Sequence, residues 1–202
     1  MKQLILIIFW LGPYCLYGQN YMMPVDPQTN KITYSDVVDI KNKKDILFKN
    51  AQTWITKSFG DYKAVIQFED KEAGRLIIKG VSSLDVYLFD RIRYVITIDC
   101  KDNKYRCVLT DLERGASVLP PISYLPVSQL DATIKSLQDE LKLIDLKIQN
   151  ETKKSVRKQW VDVKSKTETS LSMDINFVEQ TNNKAKELLS SLKKAMAVND
   201  DF

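Results

Sequence analysis

The chain has 202 residues, of which 44% are hydrophobic and 28% charged. That is enough for one ordinary domain with an appendage, and too apolar for a disordered chain. The 30 basic and 26 acidic residues leave a formal charge of only +4, spread along the chain rather than clustered, unlike the basic face of a nucleic-acid binder. Histidine is absent altogether, which excludes Ser-His-Asp and Cys-His arrangements, histidine-bearing zinc sites and the commonest general base.

At the N-terminus Lys2 supplies a short basic start, residues 4–11 an unbroken apolar run, and Gly12-Pro13 a helix break. Leu16-Tyr17-Gly18 then forms a small-residue cleavage site before Gln19. The apolar run is too short to cross a bilayer, which takes about 20 residues. Residues 1–18 therefore read as a signal peptide cut after Gly18. The expected destination is the periplasm, the cell surface or the medium, with no transmembrane segment in the mature chain. Cys15 follows Tyr14 rather than a small residue and is expected to leave with the peptide.

Residues 19–30 read as an extended lead-in. A first strand is expected over residues 31–39, through Ile32, Tyr34, Val37 and Val38. From Lys44 to Phe59 the residues Leu47, Phe48, Ala51, Trp54, Ile55 and Phe59 recur at helical spacing, and Gly60 is placed to end that helix. Beyond Gly60 the period changes to two. Strands are expected through Ala64/Ile66/Phe68, Leu76/Ile78, Leu84/Val86/Leu88 and Ile92/Tyr94/Ile96/Ile98. Residues 69–74 form a polar hairpin loop in which Gly74 can take a left-handed backbone conformation.

A two-residue turn on Asp102-Asn103 sets the register of the last hairpin. It places Ile98 opposite Cys107, Ile96 opposite Leu109 and Cys100 opposite Tyr105, all on an apolar face. The other face then pairs Asp99 with Arg106 and Thr97 with Val108, so both faces agree with the same register.

From Val127 to Phe202 there is neither glycine nor proline, a composition that permits long helices. Leu130, Ile134, Leu137, Leu141, Ile144 and Ile148 form one heptad seam. Leu171, Ile175, Val178, Asn182, Ala185, Leu189, Leu192 and Met196 form a second, with Val156, Trp160 and Val163 out of phase. The polar residues 164–170 are expected to separate two helices. These helices either pack within the chain or meet a partner as a coiled coil, with Asn182 a register-setting core residue or simply exposed.

Reactive groups are scarce. None of the six glycines builds a phosphate-cradling loop, and two cysteines in the mature chain are too few for a zinc site. Cys100 and Cys107 sit diagonally in the register, roughly 7 Å apart, whereas a disulfide needs Cβ atoms about 3.8 Å apart. This favours buried thiols, and a bulge near Asn103 would favour the disulfide that an oxidising compartment allows. Glu69, Asp70 and Glu72 lie together but in a solvated loop, and Trp54, Phe59 and Tyr62 read as core rather than as a pocket. No catalytic, cofactor-binding or metal-binding residues are assigned, and no cofactor is expected.

Several segments together resemble a known family. They are Val25-Asp26-Pro27 with Lys31-Ile32-Thr33-Tyr34, and Val65-Ile66-Gln67-Phe68-Glu69-Asp70-Lys71-Glu72-Ala73-Gly74 with Lys79-Gly80. Lys101-Asp102-Asn103-Lys104-Tyr105-Arg106 with Thr110-Asp111 completes the set. Over residues 25–112 they look like the exported Bacteroidota domain of unknown function whose fold is similar to the TATA-box-binding protein (TBP). Asn103 stands where that family's turn usually carries glycine. The resemblance implies an α+β, TBP-like fold: a curved antiparallel sheet with helices on one face. It brings no activity and no catalytic residues with it, and a shared fold says little about DNA.

The expected organisation is therefore a signal peptide (1–18), a lead-in (19–30), a TBP-like α+β domain (31–126) and a helical C-terminal region (127–202). The expected function is a non-enzymatic binding or structural interaction module of the cell envelope. Its partner would be another envelope protein or, through the C-terminal helices, a second copy, and not nucleic acid. The partner-contact surface is expected on the outer sheet face at Arg93, Thr97, Asp99 and Arg106, around Val95. The alternative is a small-ligand binder, or an enzyme with a carboxylate-based pocket between sheet and helical tail.

Overall fold

A computed structural model describes residues 22–116 and 124–198; the expected signal peptide lies outside the described residues. The elements run β1 (Tyr34–Asp39), α1 (Lys44–Phe59), α2 (Tyr62–Val65), β2 (Ile66–Asp70), β3 (Arg75–Ser83), β4 (Arg91–Lys101), β5 (Lys104–Gly115), β6 (Tyr124–Pro126), α3 (Leu130–Asn150) and α4 (Lys154–Met196). All strand pairs are antiparallel, in the order β1-β5-β4-β3-β2, with β6 added beside β5. The architecture is α+β, a curved six-stranded antiparallel sheet followed by a long helical region.

The apolar periodicities decide which side of the sheet is covered. Along β4 every second residue, from Ile92 through Tyr94, Ile96 and Ile98 to Cys100, is buried, and along β5 so are Tyr105, Cys107 and Leu109. Against this inner face pack Leu47, Phe48, Ala51, Trp54 and Ile55 of α1 and Leu171, Phe177, Val178, Ala185, Leu192 and Met196 of α4. α1 stops where Gly60 takes φ 76° and its N–H reaches the carbonyl of Thr56, a conformation open to glycine without a Cβ clash.

The β4–β5 hairpin has the expected register, with Ile98 opposite Cys107, Ile96 opposite Leu109, Cys100 opposite Tyr105, Asp99 opposite Arg106 and Thr97 opposite Val108. Asn103 makes the turn at φ 63°. The turn is tied down on both sides: Ile40 N–H donates to the carbonyl of Asn103, Asn103 N–H to that of Asn42, and the Asp102 carboxylate accepts the N–H of Lys44 at the start of α1. Gly74 takes φ 72°, as the loop pattern predicts, and a Cβ there would come within 2.3 Å of the Cys100 carbonyl oxygen. Cys100 and Cys107 are both buried and unbonded.

Several local expectations fail for identifiable reasons. Residues 84–88 are no strand but the β3–β4 connection. Leu84 and Val86 are buried and Tyr87 exposed, so a loop lying on the core produces the period of two, and Leu88 breaks it with φ 70°. Residues 62–65 are a helical turn rather than the start of β2, because the Asp61 carboxylate caps it by accepting the N–H of Ala64. β1 begins at Tyr34; ahead of it Val25 and Ile32 bridge across a turn in which Asp26 accepts the N–H groups of Gln28 and Thr29.

The helix break is also displaced. Residues 164–170 do not separate two helices, since α4 runs through them; the chain turns at residues 151–153. The polar run contains only residues a helix tolerates, and Lys164 uses it to reach Asp145 of α3 at 2.7 Å. At the true turn Glu151 is extended, its carboxylate accepts the N–H of Lys153, and its carbonyl accepts from the Arg157 guanidinium.

The seam of α3 is buried against α4 at Ile144, while Leu130 and Ile134 join the main core. Farther along, α4 is pinned to the domain by a series of polar contacts. Arg114 pairs with Asp174 (2.9 Å), Tyr34 Oη donates to Asn182 Oδ1 (2.6 Å), Trp54 Nε1 donates to Ser191 Oγ (3.0 Å), and Asn42 Nδ2 donates to the Met196 carbonyl (3.3 Å). Asn182 is thus a positioning contact within the chain. Among the described residues no helix is long and apolar enough to cross a membrane.

Candidate functional site

The space between sheet and tail, where a carboxylate-lined pocket is the expected alternative, is filled by apolar side chains. Leu47, Ile55, Leu76, Ile78, Ile96, Ile98, Phe177 and Leu192 are essentially inaccessible there. The ionisable groups on this side are driven toward their neutral forms. Burial pushes both thiols up to about 12, and Tyr94 likewise despite its hydrogen bond with Ser82. Burial raises Tyr34 further still, with Asp131 adding to the shift. A thiol held protonated is a poor nucleophile and a poor metal ligand.

Glu69 and Asp70 end β2 rather than lying in the expected loop, which spans only residues 71–74, and these carboxylates do not converge. Glu69 accepts from Tyr62 Oη and Gln52 Nε2, while Asp70 caps the N–H of Ala73. Trp54 and Phe59 stack edge to face with ring centroids 5.8 Å apart, as core residues do. Among the described residues no group of three or more Cys, Asp or Glu is placed to hold a metal ion.

The opposite face of the sheet is built differently. The cross-strand registers set its side chains in rows. One row runs Ser35, Val108, Thr97, Ile77, Phe68; the next runs Val37, Arg106, Asp99, Arg75, Asp70. On the other side of the first row stand Thr110, Val95 and Lys79, then Glu113, Arg93 and Val81. Arg93, Thr97, Asp99 and Arg106, the residues expected to form a contact surface, all lie on this one face, around Val95.

The partner of Arg93 depends on an irregularity in β5. Between Val95 and Arg93 the register shifts by one residue, and Asp111 of β5 takes φ 52°. This bulge lets Leu112 turn into the core while Glu113 comes out beside Arg93. Arg93 Nε donates to Glu113 Oε2, and the guanidinium lies over the Tyr124 ring at 4.0 Å.

Asp99 is the electrostatic centre of the face. Its side chain is only 14% exposed; one oxygen accepts Arg75 Nε at 2.6 Å and the other accepts Arg106 Nη2 at 2.6 Å. Burial works to raise its carboxyl, and the hydrogen bonds from Arg75 and Arg106 outweigh it, holding the group below the usual carboxylate range. Around this centre opens a shallow cleft of about 440 Å³ lined by Val37, Arg75, Asp99, Lys101, Lys104 and Arg106. A second cleft of about 440 Å³, including Lys31, Lys79, Val95, Asp111 and Glu113, opens on the same side.

Arg75, Glu113 and Tyr124 escape a reading of the sequence. Arg75 reaches Asp99 only through the β3–β4 register, which a long connection leaves open. Glu113 reaches Arg93 only because of the bulge. The signal that was available is the left-handed conformation that Asp adopts more readily than most residues.

Residues 34–114 match the family model described as "Domain of unknown function (DUF4468) with TBP-like fold". No curated protein matches the chain. Among solved structures, a TBP-like protein from Parabacteroides distasonis ATCC 8503 superposes with a TM-score of 0.56 at 19% identity, covering 86% of this chain and 96% of that one. A DUF4468 family protein from Bacteroides ovatus ATCC 8483 gives 0.54 at 15% identity, covering 89% and 93%. At such identities the likeness is one of fold, and its extent takes in helical tail as well as sheet. These matches bear out the family resemblance read from residues 25–112, over residues 34–114 for the family model, and the fold is TBP-like.

Proposed function

We propose that this TBP-like domain and its helical tail form an exported, non-enzymatic interaction module, which offers the outer sheet face to a partner in the cell envelope. One observation carries the reading. The helices lie on one side of the sheet, and among the described residues nothing covers the other. A sheet face that meets only water ordinarily alternates to polar side chains. This one keeps Ile77, Val95 and Val108 half-buried among fixed ion pairs and leaves Phe68 47% exposed. Apolar surface edged by ordered charges is the composition of a contact surface.

The unreactive state of the buried thiols and phenols, and the apolar filling behind the sheet, support binding over catalysis. Export rests on the basic start, apolar run and cleavage site of residues 1–18. A weaker second surface supports self-association: Leu143 and Leu146 of α3 and Val161 of α4 are about half exposed on the helical hairpin.

Affinity capture from the native envelope after crosslinking tests the reading, using the wild type beside Val95→Glu and Thr97→Arg variants shown to be folded. The expected outcome is a partner captured by the wild type and lost with both variants. Equal capture by all three sinks the outer face as the contact surface.

A further inference from the structure

We infer that the cleft at the hairpin end of the outer face binds a compact oxyanion carrying two anionic groups. This rests on the outer face being the contact surface and adds the chemistry of what is held there. Four cations line the cleft: Arg75, Lys101, Lys104 and Arg106. Lys101 and Lys104 are direct cross-strand partners across the β4–β5 turn, and like charges placed opposite each other destabilise a sheet. Neither lysine makes an ion pair among the described residues.

The carboxylates nearby offset part of that charge without bonding to either lysine. Asp99 is engaged by both arginines. Asp70, opposite Arg75, turns an oxygen to the N–H of Ala73. Asp39 stands opposite Lys104 without pairing to it. The shared carboxylate fixes Arg75 and Arg106 through their Nε atoms and one Nη2, which orients the other ends of two planar forks in advance of any ligand.

The spacing selects the ligand. Arg75 and Arg106 stand on strands two apart but converge on the one Asp99 carboxylate, while the lysine pair lies one row away, roughly 7 Å along the strands. A single small anion reaches part of this set, whereas a dianion with its charges separated by several ångströms reaches both rows. Phosphate and carboxylate groups share the chemistry.

Titration of the full mature chain at low salt, followed by amide NMR, tests the site with inorganic pyrophosphate in one arm and succinate in the other. Saturable shifts are expected at residues 73–75 and 99–106, with the tighter of the two probes telling phosphate from carboxylate. Lys104→Gln is expected to weaken binding about tenfold, the loss of one charge-assisted contact. Without an anion the same substitution is expected to leave Tm unchanged or raised, since it relieves the lysine pair. Three results would overturn the inference: no saturable shift with either probe below about 10 mM, unaltered affinity in Lys104→Gln, or a lowered Tm without anion, which marks the lysine as structural. Because these readouts concern the cleft alone, their failure leaves the contact-surface reading to be decided by capture.

Discussion

Replacing Asp99 by Asn removes one charge and keeps the side chain's shape. Its partners Arg75 and Arg106 are 45% and 53% exposed, so each pair taken separately contributes only about 0.2–1 kcal/mol. The carboxylate itself is mostly shielded and holds both guanidiniums at once, which places the total at about 1–2 kcal/mol. For a chain of this size that is about 2–8 °C in Tm. The pH dependence has a definite sign. A carboxyl held lower in the folded than in the unfolded state adds stability that is complete above the unfolded value of about 3.9 and is lost as pH falls through the folded one. Urea unfolding of wild type and Asp99→Asn at low salt, across pH 7, 5 and 3, should show the difference in full at pH 7 and clearly reduced at the lowest pH. A penalty undiminished at pH 3 would assign the effect to packing, and none at pH 7 would mean the arginines gain nothing from Asp99.

Other outcomes follow from the same structure. Phe177→Ala empties a fully buried site between α4 and the sheet and should cost about 3–5 kcal/mol in urea unfolding, whereas Leu143→Ala, on the exposed side of α3, should stay within about 0.5 kcal/mol. Asn103→Gly should change stability by less than about 0.5 kcal/mol, while Asn103→Val, forced to φ 63°, should lose about 1–2 kcal/mol. With burial pushing both thiols up to about 12, Cys100 and Cys107 should resist alkylation at pH 8 in the native protein. Both should label in denaturant without added reductant, as read by mass spectrometry.

What the sequence conveys here follows from how far each signal reaches. The β4–β5 register could be read because a two-residue turn fixes every later pair, and because both faces gave the same answer: Ile98 with Cys107 inside, Asp99 with Arg106 outside. It held until Asp111, where a backbone bulge with no apolar signature shifts the count. Leu84 and Val86 mimic a strand because burial, not hydrogen bonding, sets the alternation. Residues 164–170 mimic a loop because polarity alone does not end a helix; the turn at residues 151–153 rests on contacts of Glu151 that only the folded chain displays. In the candidate surface, Asp99 and Arg106 were legible through the hairpin. Arg75, at the far side of a long connection, was not.

The central claim is that the outer sheet face, and not the helical side, meets the partner. A photo-crosslinking amino acid placed at Thr97, and separately at Lys186 on the exposed side of α4, tests it inside intact cells. The account predicts a discrete crosslinked species from position 97 that is absent from position 186. The reverse pattern, or crosslinks from position 186 alone, would contradict it.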